Sequence, residues 1–329
     1  MMTRRALLAS TGCLIAQARG GTRPEAPRER TFNLEYQATV SDIPAGAAKL
    51  ELWAPVAHNE AFQQIAALHV EADGPHAMEA GANGNQILHV ARTLTAAGRV
   101  PIALSFRATR RERIVQPIPH GSGDVTLTSQ ERDSYLRPDR LVPLDDTIGK
   151  WAREVVDGAH ARTDLEKARA IYNHVVATVK YDKTGKGWGH GDIYYACENR
   201  RGNCTDFHAI FIGYSRAVGV PARFSIGFPL PAQRGAGRIA GYHCWAEFFA
   251  DGVGWVPVDA SEAAKDPSRR EYFFGALDEN RVQFSRGRDL VLTPPQKGEP
   301  LNYFVFPYAE IDGQAHAAIE TVVSYRDLT

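Results

Sequence analysis

Neither sign of charge is in excess in this 329-residue chain: 38 Lys and Arg offset 38 Asp and Glu. With no RNA- or DNA-reading motif either, nothing points to a polyanion-binding protein, and no nucleic-acid partner is expected. Long apolar runs are also lacking. Beyond the first eighteen residues, no uncharged stretch is long enough to span a bilayer, so no stable membrane span is expected. No calcium-loop pattern is visible, and cysteine is scarce, with four in the whole chain. What remains is ordinary globular material, 44% hydrophobic and 23% charged. The length allows one substantial core and has room for two.

The N-terminus departs from this background. Arg4-Arg5 precedes an apolar run to Ile15, followed by Ala16-Gln17-Ala18. That is the charged, apolar and small-residue order of a signal peptide, and the paired arginines resemble a twin-arginine export signal. A disordered arm is the plainer alternative. Residues 1–18 are therefore expected to direct export in soluble form to the periplasm or outside the cell, and residues 19–30 read as a flexible lead-in. Removing the signal leaves Cys197, Cys204 and Cys244. An odd count in an exported protein points to a free thiol. If that thiol is Cys204, the other two could pair or remain small buried hydrophobes.

Strict alternation at Phe32, Leu34, Tyr36, Ala38 and Val40, repeated from Val100 to Ala108, predicts an antiparallel sandwich over residues 31–115. Weaker strands lie at Lys49–Ala54 and Gln86–Thr93. The proline-bearing stretch 116–145 reads as a crossing segment. Helices are predicted over Asp164–Val179 and Cys204–Val218, with a Gly-rich loop at Asp182–Gly191 between them. Strands follow at Arg223–Phe228, Gly241–Phe249 and Val253–Asp259, then at Leu301–Phe306 and Ala318–Tyr325. Residues 116–329, C-terminal strands included, are expected to form a catalytic α+β domain of helices packed on an antiparallel sheet.

Cys204 opens its helix behind an Asn203 N-cap, with Asp206 placed to return a hydrogen bond and Gly202 just before. Free N–H groups and the helix dipole favour a thiolate there. His243 and Asp259 lie on successive strands. A three-residue loop at Ala250-Asp251-Gly252 would pair Phe249 with Val253 and put His243 directly opposite Asp259, on one face. A carboxylate so placed can hold the imidazole tautomer and leave the other ring nitrogen for the thiol. Trp245 and Trp255 are expected around the site. Glu247 shares the His243 face as a solvated or hydrogen-bonded residue, and His208 is expected on the exposed side of its helix. Cys197, Cys204, His208, His243 and Cys244 include enough ligand types for zinc. However, their spacing is not a usual zinc pattern, and His243 and Cys244 point to opposite strand faces, so no metal and no cofactor are expected.

Arg201-Gly202-Asn203-Cys204-Thr205-Asp206, His243-x-Trp245-x-Glu247 and Gly254-Trp255-x-x-x-Asp259 together resemble the transglutaminase-like superfamily over roughly residues 145–265. The resemblance implies a papain-like core with Cys204 as nucleophile, His243 as general base and then acid, and Asp259 as orienter. It also implies an oxyanion hole made by the Cys204 N–H and an upstream side chain, for which Tyr181 and Trp188 are candidates. The implied chemistry is acyl transfer on a peptide or protein substrate through a thioacyl-enzyme, with hydrolysis favoured over cross-linking. An amine-accepting transglutaminase, or a non-catalytic envelope module of the same fold, is the alternative.

Overall fold

The protein is described by a computed structural model covering residues 26–118, 123 and 125–328. The expected signal peptide and residues 19–25 of the lead-in lie outside the described residues. Glu29 and Arg30 already belong to the first strand, so the lead-in ends earlier than expected. Strands β1 (Glu29–Val40), β2 (Lys49–Val56), β3 (Gln63–Ala72), β4 (His76–Ala80), β5 (Gln86–Thr93) and β6 (Val100–Arg111) follow in order. The alternation of β1 and β6 buries one face of each, as the pattern predicts. Strands β3 and β4 escape sequence reading because both sit at sheet edges with most side chains exposed, so no apolar alternation marks them.

Among the described residues, six α-helices are interleaved with the next strands. Helix α1 (Ser129–Tyr135) lies inside the stretch read as a crossing segment. Helices α2 (Asp146–Gly158), α3 (Asp164–Thr178), α4 (Ile193–Asn199) and α5 (Cys204–Ala217) lead to β7 (Ala222–Pro229), β8 (Ala236–Arg238), β9 (His243–Ala250) and β10 (Gly254–Val258). Helix α6 (Ala260–Lys265) and strand β11 (Arg281–Arg286) complete this part. The sheet that carries the site has the antiparallel order β10-β9-β7-β11. Helix α5 lies against β9 and β7 and is walled in by α2, α3, α4 and α6. Every residue from Cys204 to Ser215 is therefore buried, and the helix has no exposed face over that length.

The C-terminal strands β12 (Tyr308–Ile311), β13 (Gln314–His316) and β14 (Ile319–Asp327) do not join that sheet. β14 pairs with β1 (Phe32 opposite Asp327) in a sheet ordered β8-β14-β1-β6-β3. β12 pairs with β2 (Tyr308 opposite Trp53) in a second sheet ordered β13-β12-β2-β5-β4. The sandwich thus draws on both ends of the chain, where residues 31–115 alone were expected. Local alternation identifies a strand but not its partner. Leu301 makes only an isolated bridge to Leu290, in place of the strand expected at Leu301–Phe306. Among the described residues, no helix is long and apolar enough to cross a membrane.

Candidate active site

The start of α5 is built by reciprocal hydrogen bonds. The Asn203 side chain accepts from the Thr205 N–H at 2.9 Å, and Asp206 accepts from the Asn203 N–H at 2.9 Å, completing the capping box. Asp206 also accepts from the N–H groups of Gly189 (2.7 Å) and Gly191 (3.1 Å), which ties the Gly-rich loop to the helix start. Gly202 leaves room for this arrangement, since a Cβ there would stand 2.1 Å from Asp206 Oδ2. Arg288 holds the same loop from the other side through the carbonyls of Gly191 (2.9 Å) and His190 (3.0 Å). Tyr242 accepts from Asn203 Nδ2 at 3.0 Å and donates to the Gly189 carbonyl at 3.2 Å. Cys204 is thereby fixed as the first helical residue, 2% exposed.

His243 opens β9 and Asp259 caps α6, just beyond the end of β10. The hairpin register differs from the expected one. Ala250 pairs with Gly254 and Phe249 with Trp255, so the loop is Asp251-Gly252-Val253, one residue later than expected. Continued to Asp259, this register reaches Trp245 rather than His243. The loop still holds three residues, so the face is preserved. The carboxylate reaches His243 diagonally: His243 Nε2 lies 2.7 Å from Asp259 Oδ2. The remaining ring nitrogen, Nδ1, is left for Cys204, whose neighbouring charge favours the imidazolium.

Asp259 has further partners that sequence reading missed. Arg281 on β11 donates to Oδ2 at 2.9 Å, while the Ser261 hydroxyl and the Glu262 N–H both donate to Oδ1 at 3.1 Å. Burial disfavours the carboxylate charge, but His243 and Arg281 overcome this and hold Asp259 well below the usual carboxylate range. Burial likewise disfavours the imidazolium, yet the charge and hydrogen bond of Asp259, with those of Cys204, raise His243 to about 10. At Cys204, burial opposes the thiolate. Hydrogen bonds from Cys244 and His243 and the His243 charge prevail, and hold the thiol well below its ordinary range. Both directions favour the thiolate and the imidazolium over the neutral pair, in surroundings where charge interactions are weakly screened.

The other expected site residues divide. Trp245 is fully buried beside His243, with the Arg281 guanidinium 5.1 Å from its ring centre. Trp255 stands elsewhere along the hairpin, among Tyr135, Phe249 and Arg223, whose guanidinium lies 3.9 Å from its ring centre. Glu247 is buried and ion-paired to both Arg113 and Arg223. Tyr181 is half-buried next to α5; burial first, then the charge of Cys204, keeps its phenol protonated. Trp188 is half-buried within the Gly-rich loop.

His208 is wholly buried, against the expectation of an exposed position, because α5 is enclosed on every side there. Cys197, Cys204 and Cys244 are all free thiols, and Cys197 meets the Tyr214 hydroxyl at 3.4 Å rather than Cys244. Among the described residues, no group of three or more His, Cys, Asp or Glu is arranged to hold a metal ion.

Comparison with known proteins bears on the fold. A family model described as the transglutaminase-like superfamily matches residues 149–260. An uncharacterized protein of Haemophilus influenzae is 26% identical over 312 residues, covering 82% of this chain and 83% of its own. The crystal structure of a "Putative Cysteine Protease" from Cytophaga hutchinsonii superposes with a TM-score of 0.61 at 16% identity, covering 92% of this chain and 93% of that one. At that identity the likeness is one of fold. Residues 149–260, which carry Cys204, His243 and Asp259, are thus the part of the chain that is similar to the transglutaminase-like superfamily core.

Proposed function

We propose that this protein is a cysteine-dependent acyl-transfer enzyme acting on peptide or amide bonds, with hydrolysis as its main outcome. The observation that carries the reading is the 2.7 Å contact of His243 with Asp259 beside a thiol held at a helix N-terminus. In the first step the Cys204 thiolate adds to the substrate carbonyl carbon, forming a C–S bond and an oxyanion. The Cys204 N–H and an upstream side chain receive that oxyanion. We favour Tyr181 for this role over Trp188, since its phenol feels the charge of Cys204. The His243 imidazolium then passes its proton to the leaving amine as the C–N bond breaks, giving the thioacyl-enzyme. Water, deprotonated by the now neutral His243, attacks the thioester and releases the acid. A second amine in place of water would give transamidation. An exported location, from residues 1–18, belongs to the same proposal.

The test is to incubate the protein with a peptide and amide library, with and without an added amine, and read the products by mass spectrometry. New carboxylates without amine adducts are expected, and all turnover should vanish in Cys204→Ala. Amine adducts in preference to acids would replace hydrolase with transferase. An unchanged library, together with Cys204 labelling no faster than free cysteine, would leave a binding module of this fold.

A further inference from the structure

The rim of the site carries charge that the mechanism above does not use. Tyr181 pairs with Gly202 in a short parallel ladder, and its ring lies 6.1 Å from that of Phe207. It therefore runs along the first turn of α5, where Cys204 sits. Two ammonium groups share this ring: Lys265 Nζ lies 4.4 Å from its centre and Lys183 Nζ 5.8 Å. Both lysines are exposed, and they come from separate segments, Lys265 from the end of α6 and Lys183 from the loop after Tyr181. An aromatic face attracts an ammonium but does not neutralise it.

The carboxylates nearby are already engaged. Glu262 is ion-paired with Lys265 and stands 3.9 Å from His243 Nε2, which ties this patch to the histidine of the site. Asp182, the neighbour of Lys183, accepts from the Thr184 N–H at 2.9 Å and hydroxyl at 2.7 Å, and Arg201 lies 3.8 Å from it. Among the described residues, Lys183 has no ion-pair partner. One carboxylate, Glu262, thus serves two cations, and a second ammonium on the same ring is left unmatched.

We propose that Lys183 and Lys265 form a carboxylate-binding rim around Tyr181, which selects peptide or amide substrates carrying an acidic group next to the attacked carbonyl. A carboxylate is the anionic group that a peptide supplies, and two ammoniums beside one ring can hold it from both sides. Glu262 competes with it for Lys265. The inference rests on the proposed reading of Cys204 as a nucleophile, and names the substrate class of that same site.

The experiment compares two alkylating agents of similar size and opposite standing in charge, anionic iodoacetate and neutral iodoacetamide, and reads the Cys204 peptide by mass spectrometry. Both consume the same thiolate, so the ratio of their rates cancels any change in its population. The wild-type ratio should exceed that of free cysteine. It should fall about threefold in Lys183→Gln and in Lys265→Gln, and about tenfold in the double variant, the effect of single charges across a solvated cleft. Glu262→Gln removes the competing carboxylate and should raise the ratio, and added salt should bring it toward that of free cysteine. A double variant that keeps the wild-type ratio overturns the proposal.

Peptide pairs that differ only as Glu against Gln, or Asp against Asn, beside the cleaved bond give a second readout. The acidic member should show the higher kcat/KM in wild type, and the two should converge in the double variant. Equal values in wild type also overturn the proposal. Failure of the underlying reading would look different: Cys204 would label no faster than free cysteine with either agent, and neither member of any pair would be cleaved.

Discussion

Asp259 is the residue on which the ionisation of the site converges, because four donors meet its two oxygens and none of them faces solvent freely. The sign of its effect on His243 follows directly. A carboxylate at 2.7 Å favours the imidazolium and raises His243 to about 10, against the opposing effect of burial. Below that value the imidazolium can protonate a leaving amine; above it the proton is lost and turnover should fall. In the proposed reaction the depressed Cys204 pKa should place the acid limb below the ordinary thiol range. Asp259→Asn removes the charge but keeps the shape. The alkaline limb of kcat/KM should then fall from about 10 toward the unperturbed imidazole value of about 6.5, with a lower plateau. An alkaline limb that stayed in place would mean that Asp259 does not govern His243.

Cys204, His243 and Asp259 were all legible at this scale, since their order and face are written in short motifs. His208 and Arg281 were not. The first depends on a helix enclosed on all sides, and the second arrives on a strand paired through long-range contacts.

Elements were read well where their signals are local. The cap of α5 is an example: Asn203, Asp206 and Gly202 specify it from sequence, and the capping box is present. The hairpin that carries His243 and Asp259 shows the limit. Its loop is Asp251-Gly252-Val253, one residue later than the turn residues suggest. Parity survives such a slip, so the shared face was preserved while the directly opposed pair was not. Asp206 does more than cap, because three N–H groups from two segments converge on it. Asp206→Ala would orphan donors in a buried position, and the loss should be about 3 kcal/mol of stability. Denaturant unfolding measures it. A change under about 1 kcal/mol would mean that water replaces the carboxylate and that Arg288, Asn302, Tyr242 and Tyr303 suffice to hold the loop.

At the scale of the whole molecule, the two ends of the chain are bound into one sandwich. β14 fills the space between β1 and the short edge strand β8, and contributes Val323 and Tyr325 to the core. Its Asp327 takes two hydrogen bonds from Arg30, at 2.7 and 2.8 Å, and Arg30 is only 1% exposed. β12 likewise covers an edge of β2 and buries Ala309 and Ile311. Both strands were visible in part as tail strands, but nothing in their sequence names β1 and β2 as partners some 270 residues away. A chain ending after residue 305 would leave β1 and β2 as open apolar edges and strand a buried guanidinium without its carboxylate. Such a chain is expected to be insoluble or to unfold well below the full-length protein, losing along with the fold the Cys204 reactivity proposed above. Asp327→Ala alone should reproduce part of this, with a loss of about 3 kcal/mol from the orphaned Arg30 charge. Thermal melts and Cys204 alkylation rates, measured on both variants, decide the point. If the shortened chain kept the full-length melt and a reactive thiol, the sandwich would be closed by its N-terminal strands alone. The pairing of β14 with β1 would then contribute nothing to the stability of the site.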